Sequence, residues 1–377
     1  MILRSILLKN FRIHQNTQVE FSDGINYIVG GNGQGKTSIL EAVYYLCTTK
    51  GYNSVADGEV VSFNETFFEV SGTFRDLTEN NLRIYYTLED NRKYFFVDGK
   101  QIYRASSIIG KYPVVILTPE DHSITQGSPG DRRKFVDSVI SQSSETYLQI
   151  LLDYNRTLRQ RSSLLAQIKE SRDRSLLDQL DAWSQKLVQC GSELIKHRIR
   201  FVSEFNGYVN DSYNLIMSSA EQPSITYEYL EGNSLEGNGQ ETGKIEEQFT
   251  LLLEKKRDDE LRRAVNLVGP HRDEFIFRIN NMELKKYGSQ GQNKTFQISL
   301  RFAQFFYLKD SLSKSPVFLM DDVFGELDTY RAQKISGYLQ NLGQAFVTMT
   351  DFSNYSYLSR NQDDYLIKVH EGQAAYG

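Results

Sequence analysis

The 377-residue sequence predicts an α/β fold in which a helical lobe is inserted into a strand-rich lobe. Three observations support this prediction. Residues 25–29 are apolar and lead into a glycine-rich segment, 30–37, that a helical pattern follows. Apolar side chains recur at three- and four-residue spacing between residues 130 and 219. Residues 317–320 are apolar and end at two aspartates. We therefore predict a lobe made of residues 1–121 and 267–377, interrupted by residues 122–266.

Composition and charge restrict the class of protein. No run approaches the roughly 18 apolar residues of a membrane span, and residues 1–9 are too short and too interrupted for a signal peptide. We therefore expect a cytoplasmic protein with no membrane partner. The formal net charge is -5 and the sequence pI is about 5.7, so any contact with nucleic acid must be local rather than spread over the whole surface.

Cysteines and histidines give no metal pattern in the sequence. Cys47 and Cys190 are far apart and have no Cys or His at ligand spacing beside them, which argues against a zinc site and a disulfide framework. The five histidines are isolated. We expect both cysteines to be buried as small apolar residues.

The first lobe is predicted to consist mainly of strands. Residues 2–8 and 18–29 alternate or run apolar on the way into the glycine-rich segment. Further strands are rich in aromatic and β-branched residues, and Asp98-Gly99, which follows the strand at 93–97, is a hairpin turn signal. The predicted segments are 67–74, 82–88, 93–97 and the short buried strand 114–117.

The inserted lobe is predicted to be helical. A long helix covers about residues 175–206, and the absence of sustained heptads argues against an extended coiled-coil arm. A polar, glycine-rich segment, 231–243, is predicted to be a flexible loop, and a helix at 245–266 follows it. The rest of the chain alternates, with strands at 275–279, 317–320, 345–348 and 365–369 and helices at 293–313 and 329–342.

The glycine-rich segment matches the phosphate-binding pattern G-x4-G-K-[ST] between a strand and a helix. Backbone N–H groups and the positive end of the following helix form an anion site there. Lys36 would reach the β- and γ-phosphates, and the Thr37 hydroxyl would ligate Mg²⁺. The alternative is a glycine-rich turn that binds nothing. The predicted contact residues are Gly30, Gly31, Asn32, Gly33, Gln34, Gly35, Lys36, Thr37 and Ser38.

Asp321 and Asp322 come directly after an apolar strand. A buried parallel strand would aim both carboxylates at the sheet edge where the phosphate loop lies. Asp321 would hold Mg²⁺ through water, and Asp322 would orient or deprotonate the attacking water. Taken alone, two such aspartates also fit a turn or a helix cap, and the phosphate loop favours the catalytic interpretation.

A second anion site is predicted at Ser289 and Gly291, where an apolar-striped helix begins. One copy of the chain already holds its nucleotide phosphates around Lys36. The second site therefore makes sense if it caps the γ-phosphate bound to another copy. This predicts a dimer that sandwiches two nucleotides, and the alternative is a plain helix cap.

Along the chain the phosphate loop is followed by a long insertion, by the S-x-G-Q signature at Ser289, and by the apolar strand with Asp321 and Asp322. In this order the motifs resemble the SMC-like branch of ABC ATPases, and within it the bacterial RecF family. The resemblance implies an ABC-type P-loop ATPase head with an inserted helical lobe. It also implies a slow ATPase that dimerises reversibly on ATP, binds single-stranded, gapped and double-stranded DNA, and assists RecO and RecR in loading RecA. The matching blocks are residues 8–12, 118–121, 130–137, 269–273, 287–294 and 321–328.

The resemblance also implies roles for single residues. Ser289, with Gly291 and Gln292 of the same signature, caps the partner's nucleotide, and Asp328 lies in the loop that crosses between subunits. Arg12 contacts phosphate in cis. Glu120 or Asp121 lies in a linker that senses the γ-phosphate. The chain departs from the family pattern at residues 51–59, which contain no Lys or Arg although relatives tend to be basic there.

Contacts to DNA phosphates are predicted among the basic residues of the inserted lobe. Arg132, Arg133 and Lys134 match a family block, although Arg132 and Arg133 could instead brace the lobe interface through internal carboxylates. Most of the single candidates are more typical of ordinary solvated helix charges than of DNA contacts. The other candidates are Arg156, Arg159, Arg161, Arg198, Arg200, Lys255, Lys256, Arg257, Arg262 and Arg263.

Two other functions compete with this one. Another SMC-like ATPase, working in a defence or nuclease-associated complex, would need a metal nuclease cluster or a partner surface, and the sequence shows no such cluster. A small-molecule P-loop kinase would leave Ser289 and Gly291 without a role.

Overall fold

The computed structural model describes residues 1–53, 55–171, 175–217, 220–234, 244–352, 358 and 361–377. The chain forms two compact units. Unit 1 comprises Met1–Asp121, Asn214–Ser218 and Ile298–Gly377, and unit 2 comprises His122–Tyr213 and Ser219–Gln297. The first boundary between the units falls after Asp121, and residues 267–297 lie in unit 2 by their contacts. The division into folding domains stays a prediction.

Helices and strands are interspersed along the chain and are joined in places by short 3-10 turns. The first half contains β1 (Ile2–Phe11), β2 (His14–Glu20), β3 (Ile25–Val29), α1 (Lys36–Thr48), β4 (Phe67–Arg75), β5 (Glu79–Thr87), β6 (Arg92–Val97), β7 (Lys100–Ile102), β8 (Val114–Leu117), α2 (His122–Gln126), α3 (Pro129–Ser143) and α4 (Glu145–Ser171). The second half contains α5 (Leu176–Ile216), β9 (Pro223–Tyr229), β10 (Asn233–Ser234), α6 (Ile245–Arg263), β11 (Glu274–Ile279), β12 (Met282–Glu283), α7 (Leu284–Tyr287), α8 (Gln290–Leu312), β13 (Val317–Met320), α9 (Thr329–Leu339), β14 (Ala345–Met349), β15 (Tyr365–His370) and β16 (Gln373–Tyr376).

Unit 1 contains an antiparallel sheet with the strand order β2-β1-β4-β5-β6-β7. Alternate residues of β4 and β5 are buried, because one face of the sheet packs on the core. Asp98 and Gly99 join β6 to β7 with positive φ angles of 50° and 74°. Two consecutive positive φ angles are those of a type I′ turn, so the predicted hairpin is present.

The second sheet of unit 1 has the order β16-β15-β3-β14-β13-β8 and is parallel except at β16. Its inner strands are buried on both sides, which explains their continuous apolar runs. Val29 pairs with Met349, and Met320 pairs with Val347. The carboxyl ends of β3, β14 and β13 therefore lie side by side at one edge of the sheet.

Helices cover both faces of this parallel sheet. Ile39, Leu40 and Val43 of α1 belong to the hydrophobic cluster on one face, which also receives the inner side of the antiparallel sheet. Phe302 and Phe305 of α8 belong to the cluster on the other face, together with residues of α9. The core thus fixes the start of α1 against the end of β3, where the phosphate loop lies.

Unit 2 combines helices α2 to α6 with a four-stranded antiparallel sheet of order β10-β9-β11-β12. The helical periodicity after residue 130 is accounted for by α3, α4 and α5, and α5 extends ten residues beyond the predicted end at 206. Strand β9 was not predicted. Residues 235–243 of the predicted flexible loop lie outside the described residues. Within the described ranges, none of the helices has the length and hydrophobicity needed to cross a membrane.

Candidate functional site

The phosphate loop connects β3 to α1 at the carboxyl edge of the parallel sheet. Gly33 and Gly35 have φ angles of +74° and +106°, a region that side chains rarely adopt. A Cβ atom at Gly35 would also lie 2.7 Å from Nε2 of His14. Glycine is therefore required at position 35 for two reasons. The segment from Gly31 to Gly33 is exposed, and α1 presents its N-terminus to it.

Lys36 begins α1 and is 7% exposed. Its ammonium group donates to the carbonyl of Gly31 at 2.8 Å, across the loop. Burial lowers the pKa of Lys36, and the nearby Asp322 and Asp321 carboxylates oppose that shift. The cation is therefore poorly hydrated and held over the loop, where its charge would stabilise an anionic group that entered the loop.

Asp321 is the meeting point of three elements. Its Oδ1 accepts hydrogen bonds from Thr37 at 2.9 Å and from Thr348 at 2.7 Å, and its Oδ2 accepts one from Tyr52 at 3.1 Å. Burial raises the pKa of Tyr52, so the phenol stays protonated and donates. Two residues separated by 284 positions, Thr37 and Asp321, are thus brought into direct contact.

Asp322 follows in the left-handed region, with a φ of 49°. Aspartate tolerates this conformation better than most residues. The backbone N–H of Asp322 donates to the Thr348 hydroxyl at 2.9 Å, which fixes the peptide. Burial raises the pKa of Asp322, and Lys36 opposes this shift. A carboxylate with a raised pKa beside a phosphate site is suited to accept a proton.

The donor set here fits Mg²⁺ by chemical type. A hydroxyl oxygen from Thr37 and carboxylate oxygens from Asp321 are hard ligands, and magnesium usually takes one or two carboxylates together with substrate phosphates and water. Among the described residues, no cluster of three or more His, Cys, Asp or Glu side chains could hold a metal ion by itself. Phosphate oxygens would have to complete such a site.

Arg12 lies near the loop but points to another partner. Its guanidinium makes two hydrogen bonds to Glu41 of α1, at 2.8 Å and 2.9 Å, and a third to the carbonyl of Glu59 at 3.2 Å. Glu41 and burial act in opposite directions on the pKa of Arg12, and the hydrogen bonds to Glu41 raise it. Ser38 is half-buried in the first turn of α1.

The predicted signature residues lie in unit 2 at the start of α8. Ser289 and Gln292 form a reciprocal cap: the Ser289 hydroxyl accepts from the Gln292 N–H at 3.1 Å, and the Gln292 side chain accepts from the Ser289 N–H at 2.9 Å. Gln292 also donates to Glu221 at 2.7 Å. Ser289 is exposed, and Gly291 next to Gln292 is half-buried. In one copy of the chain this element is a helix cap.

Two further predicted carboxylates are engaged within unit 1. Asp328 caps α9 by accepting from the Arg331 N–H at 3.0 Å and also pairs with the Arg331 side chain. Asp121 is buried and makes two hydrogen bonds to Arg301, at 2.6 Å and 2.8 Å. Glu120 is exposed. Of the two linker candidates, Glu120 is therefore the one that faces solvent.

Several arginines predicted to bind DNA are buried and bonded inside unit 2. Arg161 is 2% exposed and binds Glu260, Asn266 and Ser184. Arg198 is also 2% exposed and binds Asp137. Both are removed from the DNA candidates, because a guanidinium that is buried and saturated by protein partners cannot reach a phosphate.

The family-block cluster, which consists of Arg132, Arg133 and Lys134, also contains both buried and exposed side chains. Arg132 is 6% exposed and binds Glu274 through two hydrogen bonds at 2.8 Å and 3.0 Å. Arg133 donates to the backbone carbonyl of Asp273 at 2.6 Å. Lys134 is exposed. The alternative of an internal carboxylate pair therefore describes Arg132 within unit 2. The remaining exposed candidates are Arg156, Arg159, Arg200, Lys255, Arg262 and Arg263.

Comparison with known proteins identifies the family of the chain. The family model described as the RecF/RecN/SMC N terminal domain matches residues 2–370. The DNA replication and repair protein RecF of Chloroherpeton thalassium is 40% identical over 360 residues, which cover 94% of this chain and 96% of that protein. The chain belongs to the RecF family. The RecF of Salinibacter ruber is 36% identical over 354 residues, covering 93% of this chain and 85% of that protein.

Solved structures extend the similarity to the fold. A RecF structure, described as the recombination mediator RecF-ATP in the RecFOR pathway, has a TM-score of 0.90 and 31% identity and covers 100% of this chain and 97% of that chain. An SMC head domain from Pyrococcus furiosus has a TM-score of 0.55 at 14% identity, covers 100% of this chain and 95% of that chain, and shows the fold alone. The predicted fold class, an α/β ABC-type ATPase head of the RecF and SMC kind, is confirmed.

Sequence reasoning missed residues that shape this RecF-family site. Thr348 bonds both Asp321 and the backbone of Asp322, and Tyr52 bonds Asp321 from the loop that lacks basic residues. His14 of β2 contacts the phosphate loop. The sequence signal for Thr348 is limited to its place near the end of an apolar run, because only the strand pairing shows that this strand neighbours the one before Asp321.

Proposed function

We propose that this chain binds ATP and Mg²⁺ at the phosphate loop and acts as an ATP-controlled DNA-binding protein of recombinational repair and replication-fork maintenance. One observation carries the proposal. The Thr37 hydroxyl and the Asp321 carboxylate, 2.9 Å apart, bring together two segments 284 positions apart in the sequence, beside the buried ammonium group of Lys36. Family membership supplies the repair context, and the RecF relative solved with ATP supplies the nucleotide.

The residues of the phosphate loop make different contacts with the nucleotide in this proposal. Backbone N–H groups between Gly30 and Ser38 and the N-terminus of α1 bind phosphate oxygens. Lys36 gives up its hydrogen bond to Gly31 and pairs with the β- and γ-phosphates. Thr37 would ligate Mg²⁺ and Asp321 would hold it through water. When bound, the ion would supply positive charge to balance the charge that develops on the phosphates.

Asp322 is the residue that we assign to water activation. Its backbone is fixed by Thr348, so the carboxylate is presented at the same sheet edge as Lys36. It would orient the attacking water and accept its proton. Hydrolysis is slow in this proposal and is stimulated by DNA, so that ATP turnover resets the protein after it has acted.

Pairing of two chains completes the proposed site. Ser289, Gly291 and Gln292 would cap the γ-phosphate held by the partner copy, and Asp328 would lie in the segment that crosses between subunits. The exposed Ser289 hydroxyl at the N-terminus of a 23-residue helix supports this role, since such a terminus binds anions. Arg12 would leave Glu41 to contact phosphate in cis.

Replacing Ser289 by arginine tests this proposal. The long side chain would occupy the space that a partner's phosphate needs, so the variant should bind ATP and stay monomeric. Light scattering after gel filtration, with and without ATP and Mg²⁺, gives the mass directly. Gln160→Arg adds the same charge at an exposed position of α4 and should dimerise normally. A Ser289→Arg variant that pairs like the Gln160→Arg variant would refute the role in trans.

The proposed partners are DNA and the other proteins of the pathway. The family resemblance points to single-stranded, gapped and double-stranded DNA, and to RecO and RecR, with which the protein would help load RecA. The net charge of -5 restricts DNA contact to a local surface. Lys134 is the member of the family-block cluster that is exposed, and we assign it to a DNA phosphate. The proposed location is the cytoplasm.

Charge reversal at Lys134 is expected to weaken DNA binding without changing ATP binding. Each lost phosphate contact removes about one unit from the slope of log affinity against log salt concentration. Titration of Lys134→Glu with gapped duplex at several salt concentrations measures both effects. Lys169→Glu, at an exposed position near the end of α4, is the matched control. Equal slopes for the two variants would place the DNA elsewhere.

A further inference from the structure

The phosphate loop is held from its outer side by two elements that the proposed chemistry does not use. One is the turn between β15 and β16, at Glu371 and Gly372, and the other is His14 of β2. The backbone N–H of Gly372 donates to the carbonyl of Gln34 at 3.1 Å. The N–H of Glu371 donates to the side-chain oxygen of Gln34 at 2.6 Å. The turn therefore makes two hydrogen bonds to Gln34.

His14 holds the next carbonyl of the loop. It is fully buried, and its Nε2 lies 3.0 Å from the carbonyl oxygen of Gly35. Its Nδ1 lies 2.9 Å from a second carbonyl oxygen, that of Gly372. A carbonyl can only accept, so a neutral ring donates to one of the two carbonyls at a time and a protonated ring donates to both. Burial lowers the pKa of His14, and the contacts with the two carbonyls oppose this shift. The Gly35 carbonyl also accepts the first helical bond, from Ile39 at 3.2 Å, and both of its lone pairs are then used.

The turn and His14 are themselves connected. Thr17, three residues after His14 on β2, donates to the carbonyl of Gly372 at 2.5 Å. The other ring nitrogen of His14, Nδ1, lies 3.1 Å from the Thr17 hydroxyl. Gly372 has a φ of +74°, and a Cβ there would lie 2.6 Å from the carbonyl oxygen of Ile13. Glycine is therefore required at this contact.

These contacts fix the direction of two consecutive peptide groups. In a trans peptide the C=O and N–H bonds point to opposite sides. A carbonyl of Gln34 held by Gly372 sets the direction of the Gly35 N–H, and a carbonyl of Gly35 held by His14 sets the direction of the Lys36 N–H. Both N–H groups then point away from the outer side of the loop. Successive N–H groups directed to one side form an anion site.

We propose that His14 and the Glu371-Gly372 turn are positioning elements that set the phosphate loop in its binding conformation before a nucleoside triphosphate arrives. This inference rests on the proposed binding of ATP at the loop. The conformational entropy of the glycine-rich loop is then lost during folding, so its loss does not reduce the affinity for the nucleotide. Loss of the His14 contact should therefore weaken nucleotide binding while the fold remains intact.

Two substitutions at His14 test whether a hydrogen-bond donor at the position of Nε2 is enough or whether the imidazole ring itself is needed. Glutamine places an amide N–H close to the position of Nε2, whereas asparagine is shorter and reaches only the position of Nδ1. A single neutral hydrogen bond contributes about 0.5–1.5 kcal/mol, so His14→Asn should weaken binding of a fluorescent ATP analogue with Mg²⁺ by roughly 2- to 12-fold. His14→Gln should bind within about twofold of the natural protein. Gly372→Ala should weaken binding like His14→Asn, because the turn must move.

Each outcome decides the proposal. The proposal is supported if His14→Asn binds the ATP analogue weakly and His14→Gln binds it with nearly the affinity of the natural protein. Equal affinities of the two variants overturn it. Thermal unfolding without nucleotide separates positioning from stability, because a purely structural role would lower the melting temperature of His14→Asn and leave its affinity at low temperature unchanged. Lys36→Ala tests the nucleotide site itself. If Lys36→Ala loses binding and His14→Asn does not, only the positioning role fails; if the natural protein binds no nucleotide, the proposed function fails.

Discussion

Replacing Lys36 by alanine is expected to lower the affinity for ATP by roughly 10- to 100-fold. A hydrogen bond to a charged group contributes about 1.5–3 kcal/mol, and the ammonium group is the positive side chain placed over the loop. Burial has already removed much of its hydration, so its pairing with phosphate is not offset by a large desolvation cost. Titration with a fluorescent ATP analogue in the presence of Mg²⁺ measures the loss.

A matched control separates the contact from the general loss of positive charge. Lys50 is exposed two residues after the end of α1, and Lys50→Ala removes one charge from the same unit. It should bind ATP like the natural protein. If Lys36→Ala and Lys50→Ala bind equally well, Lys36 does not contact the phosphates, and the site proposed at the loop is wrong.

The phosphate loop could be predicted from sequence because its chemistry is local. Glycines at fixed spacing, a lysine and a threonine follow one another within eight residues, and the flanking strand and helix are visible as apolar patterns. The structure adds what the pattern could not contain. Gly35 is required partly because His14 packs against it, and that contact depends on how β2 lies beside the loop.

Asp321 and its neighbours show where prediction from sequence ended. A buried strand followed by two acids indicated that the carboxylates lie at the sheet edge, and Thr37 does bond Asp321. Thr348 could not be identified in the same way, because only strand pairing shows that β14 lies between β3 and β13. Tyr52 lies in an irregular loop, where no periodicity reports which way a side chain points.

The basic residues show a different limit. Arg132, Arg161 and Arg198 looked like members of a charged surface, but each binds a carboxylate within unit 2. Arginine and its acidic partner are separated by 61 to 142 positions along the chain. Sequence alone cannot distinguish such a pair from two solvated charges, because helical spacing reveals which face a residue occupies and not what packs on it.

Replacing Asp322 by asparagine is expected to lower the rate of ATP hydrolysis by about 100- to 10,000-fold, the usual contribution of a general base. Asparagine keeps the size of the side chain and the backbone bond to Thr348, but it cannot accept a proton. ATP binding should persist, because Lys36 and the loop are unchanged and one negative charge near the phosphates has been removed. Phosphate release measures the rate. Glu89→Gln, which neutralises an exposed carboxylate elsewhere in the same unit, should hydrolyse ATP normally.

The same variant also tests whether closure around ATP precedes hydrolysis. If hydrolysis resets the protein, Asp322→Asn with saturating ATP and Mg²⁺ should accumulate as a stable dimer in light scattering. At an ATP concentration that saturates the natural protein but lies below the Kd of Lys36→Ala, Lys36→Ala should remain monomeric because it fails at the earlier step. Adding Ser289→Arg to Asp322→Asn should restore the monomer with ATP still bound. An Asp322→Asn chain that hydrolyses ATP at the natural rate would remove Asp322 from the chemistry. One that stays monomeric with ATP bound would remove ATP-driven pairing, although the phosphate loop would keep its role.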